Sequence, residues 1–122
     1  EASGDLEQMK TIREGCGIRV FCGDDKILPQ VMQMGGRGVI SVLSNAQPVQ
    51  MIRWFHHCQK GENTEDEDHN MKLKATVIFI DSNPVPIKYA LSEMNVIERG
   101  DVRLPLVDTT EDNKEKIKLA LC

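Results

Sequence analysis

The first half of the chain shows two kinds of hydrophobic pattern in turn. Between Leu6 and Ile12 an apolar residue recurs every third position, which predicts a short helix. Asp5 stands where a helix-capping acceptor is needed, and Gly17 stands where the helix should end. The continuous apolar run over residues 18–22 then predicts a short, buried strand.

The next helix is predicted directly after Gly23. Asp24 and Asp25 can accept hydrogen bonds from the unpaired N–H groups of its first turn. Apolar residues along 27–32 form its buried stripe, and the glycines at 35–36 end it.

A strand over residues 39–43 and a third helix follow. Ser44 and Asn45 are predicted to cap this helix, and its apolar face is assigned to Val49, Ile52 and Phe55. Strands separated by helices pair in parallel through right-handed crossovers, and a parallel pair is normally covered on both faces. We therefore expect part of an α/β barrel or sheet that needs further strands.

The second half is predicted to be mostly helical. Thr64 and Glu67 form a capping-box pattern, which favours a helix over residues 64–80 although 77–80 alone would suggest a strand. The two prolines within 83–86 predict an extended connector, because a proline restricts the residue before it.

After that connector we expect a helix over residues 87–95 and a loop that contains residues 103–106. A last helix should bury one face, formed by Ile117, Ala120 and Leu121.

Composition narrows the class of protein. The 122 residues carry a net charge of −4 with dispersed basic residues, which argues against binding to nucleic acid or to an anionic membrane surface. The sequence has no apolar run of the roughly 18 residues that a membrane span needs. The four cysteines form no C-x-x-C pair and are expected to be free thiols.

The candidate ligand site is the carboxyl end of the two strands. Gly23 follows the first strand, and a missing Cβ lets a ligand approach the backbone there; a turn glycine is the plainer interpretation. Backbone carbonyls of residues 40–45 would lie at the same edge. Asp24 and Asp25 could form an acid/base pair, but helix capping is favoured because neighbouring helical residues point about 100° apart.

Two other motifs are given structural interpretations. Contiguous His56, His57 and Cys58 cannot converge on one metal ion from a helix, and the acidic run 65–68 lacks the spacing of a calcium loop. The glycine-rich residues 35–38 precede a strand, whereas a dinucleotide-binding loop follows one. We expect neither a metal nor a nucleotide cofactor.

Three segments agree in order and spacing with one family: Glu1-Ala2-Ser3-Gly4-Asp5, Gly23-Asp24-Asp25, and residues 35–42. Together they resemble the dihydrodipicolinate synthase and N-acetylneuraminate lyase superfamily. Residues 83–88 and 103–106 extend the resemblance and favour the synthases over the neuraminate lyases.

The resemblance implies a (β/α)8 barrel with a C-terminal helical extension. Residues 18–22 and 38–43 would be its seventh and eighth strands. The chain would then divide into a barrel portion, residues 1–61, and a helical extension, residues 62–122.

The resemblance also implies a substrate-binding role for two backbone positions and no catalytic side chain. The carbonyl of Ile40 would face a bound keto acid, and Gly23 would keep the end of the seventh strand open. The nucleophilic lysine of the family would directly precede Glu1. Lys88 and Tyr89 match positions in the extension and would not replace the family's catalytic lysine and tyrosine.

In this family the lysine forms a Schiff base with pyruvate, and the enamine adds to aspartate semialdehyde in lysine biosynthesis. The chain alone is expected to be inactive and to require the N-terminal part of the same protein, in a cytoplasmic (or, in a plant, plastid) homo-oligomer without a cofactor. Two alternatives stay open: a related keto-acid aldolase, and a self-sufficient α/β interaction module that uses the acidic helix or the His56-His57 surface.

Overall fold

A computed structural model describes residues 3–122, so Glu1 and Ala2 of the family-like opening segment lie outside the described residues. The first half contains two helix–strand pairs: α1 (Leu6–Cys16), β1 (Phe21–Cys22), α2 (Leu28–Gln33) and β2 (Gly38–Val39). The second half is helical: α3 (Pro48–Lys60), α4 (Glu65–Ile78), α5 (Val85–Glu93) and α6 (Glu111–Leu121). Short 3-10 turns precede α2 and α3, at Asp25–Ile27 and Leu43–Asn45.

Local capping chemistry confirms the first predicted helix. The Asp5 carboxylate accepts the N–H of Gln8 at 3.0 Å, which satisfies one of the unpaired donors at the start of α1. Gly17 ends the helix with φ 63°, a left-handed conformation that favours glycine. Met9 is the buried residue through which α1 contributes to the core.

The two strands pair in parallel, as predicted, but they are shorter than the predicted 18–22 and 38–43. Cys22 is the register partner of Val39, and one more backbone bond, from the N–H of Ile40 to the Cys22 carbonyl at 2.8 Å, continues the pairing. Beyond that point the Asp25 carboxylate accepts the N–H groups of Val42 and Leu43. Because these groups bond to a side chain, the second segment leaves the ladder and enters a 3-10 turn.

The predicted cap of the third helix is wrong, and its predicted apolar face is wrong at Val49 and Ile52, whereas Phe55 is partly buried against the core. Ser44 and Asn45 belong to the preceding 3-10 turn, and α3 begins at Pro48 without a side-chain cap. Val49 and Ile52 are 76% and 59% exposed. The buried residues follow a different stripe with helical spacing: Met51, Trp54 and Cys58.

The capping box predicted for α4 is confirmed, and helix is the correct choice over strand. The Thr64 hydroxyl accepts the N–H of Glu67, and the helix continues to Ile78, two residues short of the predicted end. The predicted extended connector over 83–86 is wrong, because α5 already begins at Val85 and contains Pro86 in its first turn. A proline costs little there, since first-turn N–H groups have no acceptor within the helix.

One hydrophobic core connects the sheet with the helices. Leu43, Trp54, Ile78 and Ile117 are fully buried in it, and α6 packs against both α4 and α5. Ile117 and Leu121 are buried as predicted, whereas Ala120 is only partly buried. The division at residue 61 coincides with the turn after α3 but stays a prediction. Among residues 3–122, no helix has both the length and the apolar character needed to cross a bilayer.

Candidate functional site

The two parallel strands bring both predicted site residues to one edge. Cys22 and Val39 are paired in register, so Gly23 and Ile40 are the next residues at the carboxyl ends of β1 and β2. Ligands of α/β proteins bind at this end of the strands, because loops diverge there and leave backbone groups accessible.

Ile40 is largely exposed at this edge. Its side chain is 61% exposed, and its N–H donates to the Cys22 carbonyl at 2.8 Å. Within residues 3–122, no N–H group donates to the Ile40 carbonyl. A backbone acceptor is therefore available at the edge, beside a partly buried Gly23.

The two aspartates after Gly23 have different surroundings. Asp24 caps the 3-10 turn by accepting the N–H of Lys26 at 2.9 Å, as predicted for a capping residue. Asp25 is 1% exposed, and its Oδ2 accepts the N–H groups of Val42 and Leu43 at 3.1 and 3.0 Å. Burial raises the pKa of the Asp25 carboxyl, against the effect of these hydrogen bonds. The pair is thus one turn cap and one buried link between two segments.

The segment after β2 is held by its own side chains. The Ser41 hydroxyl accepts the N–H of Ser44 at 2.8 Å, and the Ser44 hydroxyl donates to the Ser41 carbonyl at 3.0 Å. Asn45 donates from its side-chain amide to the Val42 carbonyl at 3.0 Å. The predicted cap residues therefore stabilise the turn that follows the candidate site.

An apolar cavity of about 320 Å³ lies between β2 and α3, next to the candidate edge. Phe21, Ile52 and Phe55 contribute its largest side chains, and Ser41 lines it on the side of the candidate edge. Neither Gly23 nor Ile40 lines it. The cavity explains why Ile52 is exposed: it faces the open side of β2 instead of the core.

His57 of α3 and two acidic residues of α4, Glu67 and Asp68, take part in the contact between these helices. His57 Nδ1 lies 2.8 Å from Glu67 Oε2, whereas His56 is exposed. Asp68 accepts the indole N–H of Trp54 at 2.7 Å. In the described part of the chain, no group of three histidine, cysteine or acidic side chains is arranged to hold a metal.

Lys88 and Tyr89, which were predicted not to replace the family's catalytic lysine and tyrosine, both lie on α5. Lys88 is on α5, and its ammonium contacts the backbone carbonyl of Asp101. Tyr89 lies under the ammonium groups of Lys114 and Lys118, 5.6 and 5.9 Å from its ring centre. Neither contact reaches the strand edge.

As predicted, the four cysteines, all within the described residues, form no disulfide, and the Cys22 thiol donates to the Asp24 carbonyl. Cys22 and Cys58 are buried in the core, and Cys16 and Cys122 are exposed. Burial, with the charges of Asp68 and Glu67, raises the pKa of the Cys58 thiol to about 12, which keeps it protonated at neutral pH.

Parallel strand–helix units with an accessible carboxyl edge define an α/β protein of the barrel or open-sheet class. Comparison with known proteins decides between these two. The model of the dihydrodipicolinate synthetase family matches residues 1–122, and this chain belongs to that family.

Named relatives and solved structures agree with this assignment. The chain is 37% identical to a 4-hydroxy-tetrahydrodipicolinate synthase of Methanococcus aeolicus and 39% identical to one of Syntrophus aciditrophicus, over 99% and 97% of its length. The superposition on a crystal structure of dihydrodipicolinate synthase from Thermotoga maritima covers 99% of this chain, with TM-score 0.87 and 30% identity. For the synthase structure from Methylacidiphilum fumariolicum the coverage is also 99%, with TM-score 0.91 and 26% identity.

The chain spans 42% of the length of both named relatives and 43% and 41% of the two solved chains. Its strands and helices are accordingly a part of a (β/α)8 barrel, followed by a helical extension. The expected fold class is confirmed, and the matches favour an enzyme over a self-sufficient interaction module.

The tertiary hydrogen bonds of two aspartates, Asp25 and Asp68, were not predicted from the sequence. Asp25 was interpreted as a helix cap, with an acid/base pair as the less favoured alternative, although its spacing of three and seven residues from Leu28 and Met32 places it on the buried stripe of that segment. Asp68 was interpreted as part of a solvated acidic run, although it is the partner of the buried Trp54. No local pattern in the sequence indicates the second pairing.

Proposed function

We propose that this chain is the C-terminal part of a pyruvate-dependent lyase that condenses pyruvate with aspartate 4-semialdehyde to 4-hydroxy-tetrahydrodipicolinate, in the diaminopimelate route to lysine. The observation that carries the proposal is the match of all 122 residues to the synthetase family, with Gly23 and Ile40 at the carboxyl ends of parallel strands. The relatives named above bear the name of this synthase.

The contribution of the chain to catalysis is through its backbone. The Ile40 carbonyl, which no described N–H group occupies, would face the keto acid, and Gly23 would leave room beside it. A carbonyl oxygen can accept a hydrogen bond from the bound substrate or from the iminium nitrogen of a Schiff base. The lysine that forms this Schiff base would come from polypeptide outside this chain.

The same proposal defines the partners. The unpaired sides of β1 and β2 would be completed by the N-terminal part of the same protein, and the whole enzyme would be a homo-oligomer of the cytoplasm, or of the plastid in a plant. Phe21 and Ile52, which line the apolar cavity beside β2, are suited to such a contact because they are apolar and exposed.

Borohydride trapping tests the proposal. The full-length polypeptide that contains this chain is incubated with pyruvate and sodium borohydride, and intact mass is measured. We expect one reduced pyruvate adduct on a lysine outside residues 1–122, and no adduct on the isolated 122-residue chain. An adduct on Lys88, or no adduct on the full-length protein, would contradict the proposal.

Substrate preference separates the synthase from a related keto-acid aldolase. The full-length protein is assayed for pyruvate consumption with aspartate semialdehyde and, separately, with aldose acceptors. We expect turnover with the semialdehyde. Equal or faster turnover with an aldose would retain the Schiff-base chemistry but assign a different acceptor.

A further inference from the structure

Asp25 connects the two strand ends that carry the candidate site. It lies two residues after Gly23, and its Oδ2 accepts the N–H groups of Val42 and Leu43, which lie two and three residues after Ile40. The partners are 17 and 18 positions apart in sequence, so the contact is tertiary. One carboxylate oxygen thus holds both segments at the carboxyl edge.

A helix cap alone does not require this burial. Asp24 caps the same 3-10 turn with a partly exposed carboxylate. Asp25 is fully buried, and its second oxygen, Oδ1, has no hydrogen-bond partner among residues 3–122. The Ser41 hydroxyl is near enough to affect its titration without forming a regular hydrogen bond to it. A buried, half-satisfied carboxyl is costly, so its retention calls for a specific role.

The segment after Ile40 has few other anchors toward β1. Ile40 itself is fixed by one backbone bond to Cys22, and its side chain is mostly exposed. The next contacts toward the first strand are the two bonds to Asp25. They fix the peptide groups of Val42 and Leu43, and with them the direction in which the chain leaves Ile40.

We propose that Asp25 is a positioning residue of the keto-acid site: it fixes residues 40–43 against residues 23–25, so that the Ile40 carbonyl is held toward the bound substrate. This inference rests on the proposed function. Asp25 does not touch the substrate in this arrangement, and its effect passes through the backbone. A displaced carbonyl weakens substrate binding, because hydrogen bonds lose strength steeply with poor geometry.

Steady-state kinetics of the full-length enzyme test the proposal with three substitutions. D25A removes the acceptor of both N–H groups and should raise KM for pyruvate at least tenfold. D25N keeps the shape and one oxygen that can accept both bonds, so it should stay within about threefold of the wild-type KM. If D25A does not fold, D25S takes its place, because its hydroxyl is too short to reach both donors.

D68A is the matched control, because it also removes a carboxylate that accepts two hydrogen bonds, from Trp54 and Asn63. It lies between α3 and α4 and should lower stability without changing KM for pyruvate. An unchanged KM in D25A or D25S, or an equal rise in D68A, would overturn the positioning role. Failure of the wild-type enzyme to trap pyruvate would instead overturn the proposed function, so the two failures are distinguishable.

Discussion

The hydrogen bond between Trp54 and Asp68 offers a direct measure of how α4 is held on α3. Trp54 is fully buried, and its indole N–H donates to Asp68 Oδ1 at 2.7 Å. Substitution D68A leaves that donor buried without an acceptor, which costs about 1 to 3 kcal/mol. It also removes a negative charge from the first turn of α4, worth about 0.3 to 1 kcal/mol. We expect the free energy of unfolding to fall by the sum of these two contributions, about 1 to 4 kcal/mol.

Asp66 provides the matched comparison, because it is an exposed carboxylate in the same first turn of α4. D66A should lose only the helix-terminus contribution, less than about 1 kcal/mol. Urea unfolding is followed by the fluorescence of Trp54, the single tryptophan of the chain. If D68A and D66A lower stability equally, within about 0.5 kcal/mol, the indole hydrogen bond does not stabilise the helix pair and the reasoning is refuted.

Three further predictions use the same unfolding assay or thiol chemistry. The Cβ added by G15A, inside α1, would meet no atom within 4 Å, so this substitution should raise the free energy of unfolding by up to about 1 kcal/mol. The Cβ added by G36A would lie 2.8 Å from a buried backbone carbonyl oxygen, so G36A should lower the free energy of unfolding. Equal effects of the two substitutions would contradict this prediction. At pH 8, a thiol reagent should label the exposed Cys16 quickly and should label Cys58 only on unfolding, because Cys58 is buried and its pKa is about 12. Fast labelling of both thiols would contradict the burial of Cys58 in the core. Burial raises the pKa of the Asp25 carboxyl, so its stabilising contribution is complete below pH 3.8, its unfolded value, and is lost as pH rises through the folded pKa. D25N should therefore gain stability relative to wild type as pH rises above 3.8, and a difference that stays constant with pH would refute this.

The order of elements could be predicted because it depends on local signals. Asp5 and Thr64 each accept the N–H group three residues on, and such caps identify a helix start within one turn of sequence. The cap at Thr64 also decided correctly against the β-branched residues near Ile78, since helix length and capping outweigh a short run of strand-forming residues. Parallel pairing followed from the helix between the strands.

The predictions that failed required knowledge of neighbours distant in sequence. Helix α3 has apolar residues on more than one face, and only packing against α2 and α4 selects Met51 and Trp54 for burial instead of Val49. Strand β2 ends early because Asp25 accepts the N–H groups of Val42 and Leu43, 17 and 18 positions away. The bounds of α5 were missed because a proline pair was interpreted by its effect on the preceding residue, although the first helical turn tolerates it.

The candidate site and the stable core occupy different parts of this chain. The strand edge exposes Phe21 and Ile40, and the helix beside it exposes Ile52, so the surroundings of the site are apolar and open. The helices from α3 to α6 instead enclose fully buried residues such as Trp54 and Ile117. Apolar surface of the first kind favours burial against further polypeptide, at roughly 25 cal/mol per Å² of apolar area. Substitutions in the helices should consequently report on stability in the chain itself, whereas the proposed effect of Gly23, Ile40 and Asp25 on substrate binding becomes measurable only when the barrel around them is complete.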